Sequence, residues 1–312
     1  MIKLEDKEMS FNFINRGDLY MTFKSSVKWL SLFSGSLLLA ACGNEGEEST
    51  ASAFEDTSDI HVITREDGSG TRGAFVEIAG VVDENEDDNT TATATVQNST
   101  SGVMQAIAGD VHSLGYISLG SLDESVKGLA VDGVEPTPET VASGEYQVAR
   151  NFNIAYGDDL NEAAQDFYAF MFSDEAQEIV EEQGYVPVEA ETSEFESKEV
   201  SGDINIVGST SVEPLMQVFA EAYKEHNPNV TINITAPGSG AGITAVIDGS
   251  ADIGMASREL DEEETAQVGG VDAIAIDGIA MIVHNDNPLE DITLEQIQSI
   301  YLGDTTTWDE VE

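Results

Sequence analysis

The stretch Ile204-Asn205-Ile206-Val207-Gly208-Ser209-Thr210-Ser211-Val212-Glu213-Pro214-Leu215 opens a strand–loop–helix unit that continues to His226. Ile204–Val207 has the short apolar character of a strand, and Gly208–Ser211 that of a tight polar loop. Pro214 suits the first turn of a helix, where its missing N–H has no partner to lose. Leu215, Phe219 and Tyr223 then recur at a spacing of four and mark one buried stripe over Pro214–His226. These three are core residues and carry no ligand role. Further strands are predicted at Ile60–Thr64, Leu114–Leu119, Asn151–Ala155, Val230–Thr235 and Ala273–Val283, and further helices at Glu162–Gln183 and Leu294–Leu302. Alternation of strands and helices predicts an α/β fold with mainly parallel sheets. The polar, acidic segment Glu189–Gly202 has no apolar periodicity and reads as a linker between two such stretches.

At 312 residues the chain is long enough for two lobes, each with its own core. Its 41% hydrophobic content excludes wholesale disorder. Twelve Lys and Arg against sixty Asp and Glu leave a net charge of −48. Nucleic acid and anionic membrane surfaces are therefore poor partners, because repulsion opposes every approach. Two readings of such an acidic surface stay open: secretion into a salty or alkaline medium, where counterions screen it, or solubility alone.

The single cysteine, Cys42, excludes an intrachain disulfide. It follows the apolar run Trp29–Ala41, which is too short to span a bilayer but fits a signal-peptide core. Lys24 and Lys28 supply the basic flank, and Leu39-Ala40-Ala41-Cys42 resembles a bacterial lipobox. The expectation is a signal peptide over residues 1–42, lipidation of Cys42, and a flexible tether over 43–58. Met21 is better placed than Met1 to start such a signal. The protein is then expected on the outer face of the bacterial plasma membrane, touching it only through the lipid. The competing reading of Cys42 is a small buried core residue.

Three Gly/Ser/Thr-rich loops each lie between a strand signal and a helix signal: Arg65–Arg72, Gly208–Ser211 and Gly238–Gly242. A helix N-terminus offers unpaired N–H groups and partial positive charge, glycine permits close approach, and hydroxyls add donors. A tetrahedral oxyanion has enough lone pairs to use all three loops. One such loop alone is no more than an N-cap or a turn. No lysine follows the glycines as in a Walker A loop, and no Gly-x-Ser-x-Gly or His-Glu-x-x-His motif occurs. His61, His112, His226 and His284 are scattered without metal-ligand spacing. No cofactor, no metal and no enzyme activity are expected.

Gly208-Ser209-Thr210-Ser211-Val212-Glu213-Pro214, Gly238-Ser239-Gly240-Ala241-Gly242-Ile243 and Ala251-Asp252-Ile253-Gly254-Met255-Ala256-Ser257-Arg258 resemble the N-terminal half of the phosphate-specific transport (PstS-like) substrate-binding proteins. Arg65-Glu66-Asp67-Gly68-Ser69-Gly70-Thr71-Arg72, Leu114-Gly115-Tyr116-Ile117-Ser118 and Gly184-Tyr185-Val186-Pro187 resemble that family's C-terminal half. The order is reversed: residues 59–188 resemble the second half of the family, 203–312 the first, and 189–202 join them. This is the pattern of a circular permutant, which is tolerated where the old ends lie close and the new ones are exposed. A piece of a tandem duplication, or a rearranged and decaying gene, stays open as the alternative.

The resemblance implies a periplasmic-binding-protein-like fold of type II, with two lobes joined by a hinge that close on their ligand. One lobe would be contiguous over roughly 151–277; the other would combine 59–150 with 278–312. It implies inorganic phosphate as ligand and, as partners, ABC permease subunits with a cytoplasmic ATPase. The implied contacts are Arg65, Ser69, Gly70, Thr71, Thr210, Ser211 and Ser239, with Arg72, Gly240, Ser257 and Arg258 as further candidates. Some members carry an aspartate that accepts a proton from the bound phosphate; here Ser257-Arg258 stands in that neighbourhood. That departure leaves open another oxyanion, such as sulfate or molybdate, as ligand, because an acceptor is what rejects a fully ionised one. A surface or sensing protein that has lost transport is the reading from a different class.

Overall fold

A computed structural model describes residues 54–85, 87–188 and 192–311. The expected signal peptide, Cys42 and most of the expected tether lie outside the described residues. In chain order the first part gives β1 (His61–Arg65), α1 (Gly70–Ala79), β2 (Thr95–Gln97), α2 (Thr100–Ala108), β3 (Ser113–Ser118), β4 (Lys127–Gly128), β5 (Ala130–Val131) and α3 (Pro138–Ser143). The middle gives β6 (Ala149–Tyr156), α4 (Glu162–Met171), α5 (Asp174–Glu182), β7 (Gly202–Gly208), α6 (Glu213–His226), β8 (Val230–Thr235), α7 (Ser239–Ile247), β9 (Ile253–Ala256) and α8 (Glu262–Thr265). The last part gives β10 (Gly270–Val283), β11 (Asp291–Ile292) and α9 (Leu294–Leu302). The helix expected over Glu162–Gln183 is two helices. Ser173 breaks it, its side chain accepting from Ala176 N at 3.2 Å as the cap of α5.

Two apolar cores follow the expected lobes. The first draws on residues from Ile60 to Val148 and from Ile279 to Val311, the second on residues from Phe152 to Ala275. On α6 the predicted stripe is buried, with Met216 and Ala220 beside Leu215, Phe219 and Tyr223. Taking Leu215, Met216 and Phe219 from water contributes about 1.5–3 kcal/mol each before entropy is counted. Both lobes share one sheet in the order β2-β1-β3-β10-β6-β9-β7-β8. The expectation of mainly parallel strands holds for β1 with β2 and β3, and for β7 with β8 and β9. The middle of the sheet is antiparallel: β6 pairs so with β9, and β10 with β6 over Gly270–Gly278 and with β3 over Ile279–Val283. One strand thus serves both lobes. Where it passes between them it runs against β6, and this two-stranded crossing forms the hinge.

The two ends of the described residues meet in the first lobe. Asp59 bridges Thr307, Ile60 N donates to Thr306 O at 2.7 Å, and Trp308 N donates to Ser58 O at 3.2 Å. The Trp308 indole N–H donates to His112 O at 3.1 Å, and Phe54 lies edge-on to its ring at 5.7 Å. The described part of the joining segment, 192–202, is docked on the second lobe. Phe195 packs edge-on to Phe170, Val200 N donates to Asn227 Oδ1 at 3.1 Å, and Lys198 N to the buried Asp166 carboxylate at 3.3 Å. No helix among the described residues is long and apolar enough to cross a membrane.

Candidate anion-binding site

The three Gly/Ser/Thr loops converge where the lobes face each other, and hydroxyl groups make the contact. Thr71, in the first turn of α1, lies 2.8 Å from Ser211 Oγ across the cleft and 3.3 Å from Ser257 Oγ. Ser209 Oγ donates to Ser257 Oγ at 2.9 Å, and Ser257 N donates to Ser239 Oγ at 3.2 Å. Gly240 N donates across the cleft to Gly68 O at 3.1 Å. Thr71, Ser209, Ser211, Ser239 and Ser257 are all buried. The loops can approach so closely because of what they lack. A Cβ at Gly70 would strike Ser239 Oγ and lie 2.8 Å from Ser257 Oγ. Gly208, at φ 152, carries the turn out of β7, and a Cβ there would lie 2.6 Å from Met255 N.

Arg65 ends β1 with its side chain only 3% exposed. Its Nη2 donates to Thr210 Oγ1 at 3.0 Å, and its Nη1 makes a long contact of 3.5 Å with Thr100 Oγ1. Nε and Nη2 each donate to the Glu66 carboxylate at 2.8 Å. Glu66 is itself mostly buried, so the Arg65 charge is paired out of bulk solvent. Tyr116 fixes the strand end from behind: its phenol meets Thr64 Oγ1 at 2.8 Å, and its ring stacks on Phe75 at 3.9 Å. Burial pushes that phenol up to about 12, so it is neutral.

Of the further candidates, Ser257 and Gly240 lie within this network. Arg72 and Arg258 are each held beside it by a carboxylate. Arg72 donates to Asp88 at 2.6 Å and to Arg65 O at 3.0 Å; Arg258 makes a bidentate pair with Glu264 at 2.6 and 2.7 Å. Ser69 caps α1 by accepting from Arg72 N at 3.3 Å. Asp252 is structural, accepting from Asn205 N and Asn161 Nδ2, both at 2.8 Å.

Thr100 and Ser209, which are not among the candidates read from the sequence, also join the cluster. Thr100 opens α2 and is buried, with its hydroxyl 3.4 Å from both Thr210 Oγ1 and Ser211 Oγ. Its signal was present in Asn98-Ser99-Thr100-Ser101-Gly102, a fourth hydroxyl- and glycine-bearing loop before a helix. The cluster holds hydroxyl and guanidinium donors but no histidine. His61 pairs with Asp110 and His226 with Glu175, both elsewhere. Among the described residues no group of His, Cys, Asp and Glu is placed to hold a metal ion. The arrangement can grip an oxyanion reversibly and lacks a nucleophile with its base.

The sequence pattern of the PBP superfamily domain matches residues 48–175 and 193–312. The chain belongs to this superfamily, among its PstS-like members. The phosphate-binding protein PstS 2 of Streptococcus pneumoniae is 46% identical over 295 residues, covering 94% of this chain and 100% of that one. A crystal structure of a phosphate-binding protein of a phosphate ABC transporter from the same organism is 48% identical. It covers 82% of this chain and 100% of its own, with a TM-score of 0.67. The phosphate-binding protein PstS of Pseudomonas aeruginosa matches over 109 residues only, 33% of this chain and 34% of that one, at 37% identity. These relatives are phosphate-binding proteins by name, and the crystal structure shares the α/β fold of this chain.

Proposed function

We propose that this chain captures inorganic phosphate between its lobes, outside the cell, and delivers it to an ABC importer made of permease subunits and a cytoplasmic ATPase. The observation that carries the reading is the identity with a phosphate-binding PstS 2 along nearly the whole chain. The hydroxyl cluster around Arg65 is what a tetrahedral oxyanion needs. Arg65, Ser69, Gly70, Thr71, Thr210, Ser211 and Ser239 are its contacts, with Thr100 beside them. Lipid attachment at Cys42 holds the protein at the membrane. The order of the halves is a working permutation rather than decay. A full-length relative carries the same order, and a match confined to a third of the P. aeruginosa protein is what reordered halves produce.

Calorimetric titration of the purified chain with phosphate, sulfate and molybdate tests this. Phosphate is expected to bind tightest, and tighter sulfate binding would overturn the choice. Arg65→Ala should weaken phosphate binding at least about tenfold with the fold intact, since a charge-assisted contact is worth about 1.5–3 kcal/mol. Unchanged affinity would remove Arg65 from the site. Another oxyanion is the second reading. Arg258, where some relatives place an acidic acceptor, is engaged by Glu264. Hydroxyls that can donate as well as accept do not by themselves reject sulfate.

A further inference from the structure

Arg150 and Asp277 form a buried ion pair at the hinge, on the two strands that cross between the lobes. Their side chains are 4% and 0% exposed. Arg150 Nη1 donates to Asp277 Oδ2 at 2.5 Å and to Gly278 O at 2.8 Å. Its Nε makes a long contact of 3.4 Å with Ser257 O, and its Nη2 one of 3.4 Å with Thr71 Oγ1. One guanidinium therefore touches the crossing strand, the second lobe's strand end and the first lobe's anion loop. Asp277 Oδ1 accepts from Gly120 N at 3.2 Å, which fixes the carboxylate from the far side.

A buried ion pair is weak as a stabiliser, because desolvation of both charges offsets their attraction. Its placement against the hydroxyl cluster points to another use. A guanidinium has donors only, so Thr71 Oγ1 is the acceptor in its contact with Arg150. The Thr71 proton is then free to be donated, which is what an anion requires. We propose that Arg150 is a positioning residue for anion capture: it fixes the Thr71 hydroxyl as a donor and sets a second positive charge behind the cluster, tempered by Asp277. Because the pair sits on the hinge, the charge is delivered only when the lobes bring Thr71 and Ser257 together. This inference rests on the phosphate reading above.

The test is phosphate calorimetry and thermal unfolding, with and without phosphate, on the full chain and two variants. Asp277→Asn keeps the cation and removes its counter-charge, so phosphate should bind about threefold tighter or better. The double variant Arg150→Met/Asp277→Asn buries neither charge, so it should fold. It should bind phosphate at least about tenfold more weakly. A purely structural pair predicts the opposite pattern: no gain in Asp277→Asn, and wild-type affinity in a folded double variant. Either result overturns the proposal, and the double variant alone decides if Asp277→Asn does not fold. A wild-type chain that fails to bind phosphate overturns the phosphate reading instead.

Discussion

The two lobes are built from the same parallel strand–helix units, yet the chain reaches them by different routes. The second lobe, around the core from Phe152 to Ala275, is contiguous, and the joining segment is fastened onto it. The first is assembled from both ends of the described chain, residues 54–148 and 279–311, which meet at the seam of Ser58–Ile60 with Thr306–Trp308. A contiguous lobe can form its contacts at the cost of short loop closures. A lobe made of distant ends must close the whole intervening chain before its seam contributes, although that cost grows only slowly with length. The difference locates the effect of a reordered chain: local anchors in one lobe, one long-range seam in the other.

Breaking the seam should have the largest effect. Trp308→Ala removes a buried indole and its hydrogen bond to His112 O, and should cost about 3–5 kcal/mol. Amide exchange should then rise in β1 and β3 well before β7 and β9. Equal acceleration in both lobes would mean that the seam is no separate weak point. The joining segment should come next. Asp166 is buried and accepts from Tyr223 OH and Asn227 Nδ2, both at 3.0 Å, as well as from Lys198 N. Asp166→Ala leaves those donors without their acceptor and should cost about 2–3 kcal/mol. Limited proteolysis within 192–201 should speed up while the first lobe stays protected.

The smallest effect is expected from a charge beside the seam. Burial raises the pKa of Asp110, but the His61 ring at 2.5 Å and the His112 N–H at 3.1 Å outweigh it and hold the carboxyl below its ordinary value. A carboxylate with a lowered folded pKa stabilises above the ordinary carboxylate pKa, and that contribution is lost as pH falls through the lowered value. Solvent screening limits it to under about 1 kcal/mol. Urea unfolding of Asp110→Asn should show a deficit near neutral pH that closes in strong acid. A deficit that persists there would assign it to lost hydrogen bonding rather than charge.

Much of the site could be seen in the chain because helix N-termini write their needs locally. Glycine where loops touch and Ser or Thr at the first turn appear in sequence as a short run, as in Gly68–Thr71 and Gly208–Ser211. Thr100 obeys the same grammar but is hard to read in sequence, because β2, the strand before it, spans only Thr95–Gln97 and gives little apolar signal. Arg72 and Arg258 show what local sequence leaves out. Each stands beside a ligand loop in sequence, yet each is held by a carboxylate, Asp88 and Glu264 respectively, that sequence proximity to the loops does not reveal.

The α/β class was legible in the chain, as were a polar break near residues 189–202 and three hydroxyl- and glycine-rich loops ahead of helices. Those are properties of short segments, set by apolar periodicity and by what a helix start requires. Only the tertiary structure decided that β10 crosses both lobes antiparallel to β6, that Phe195 and Asp166 dock the joining segment, and that Arg150 reaches Thr71 from the hinge. Such contacts join residues far apart along the chain. They are fixed by how the two cores pack, and no local pattern encodes them.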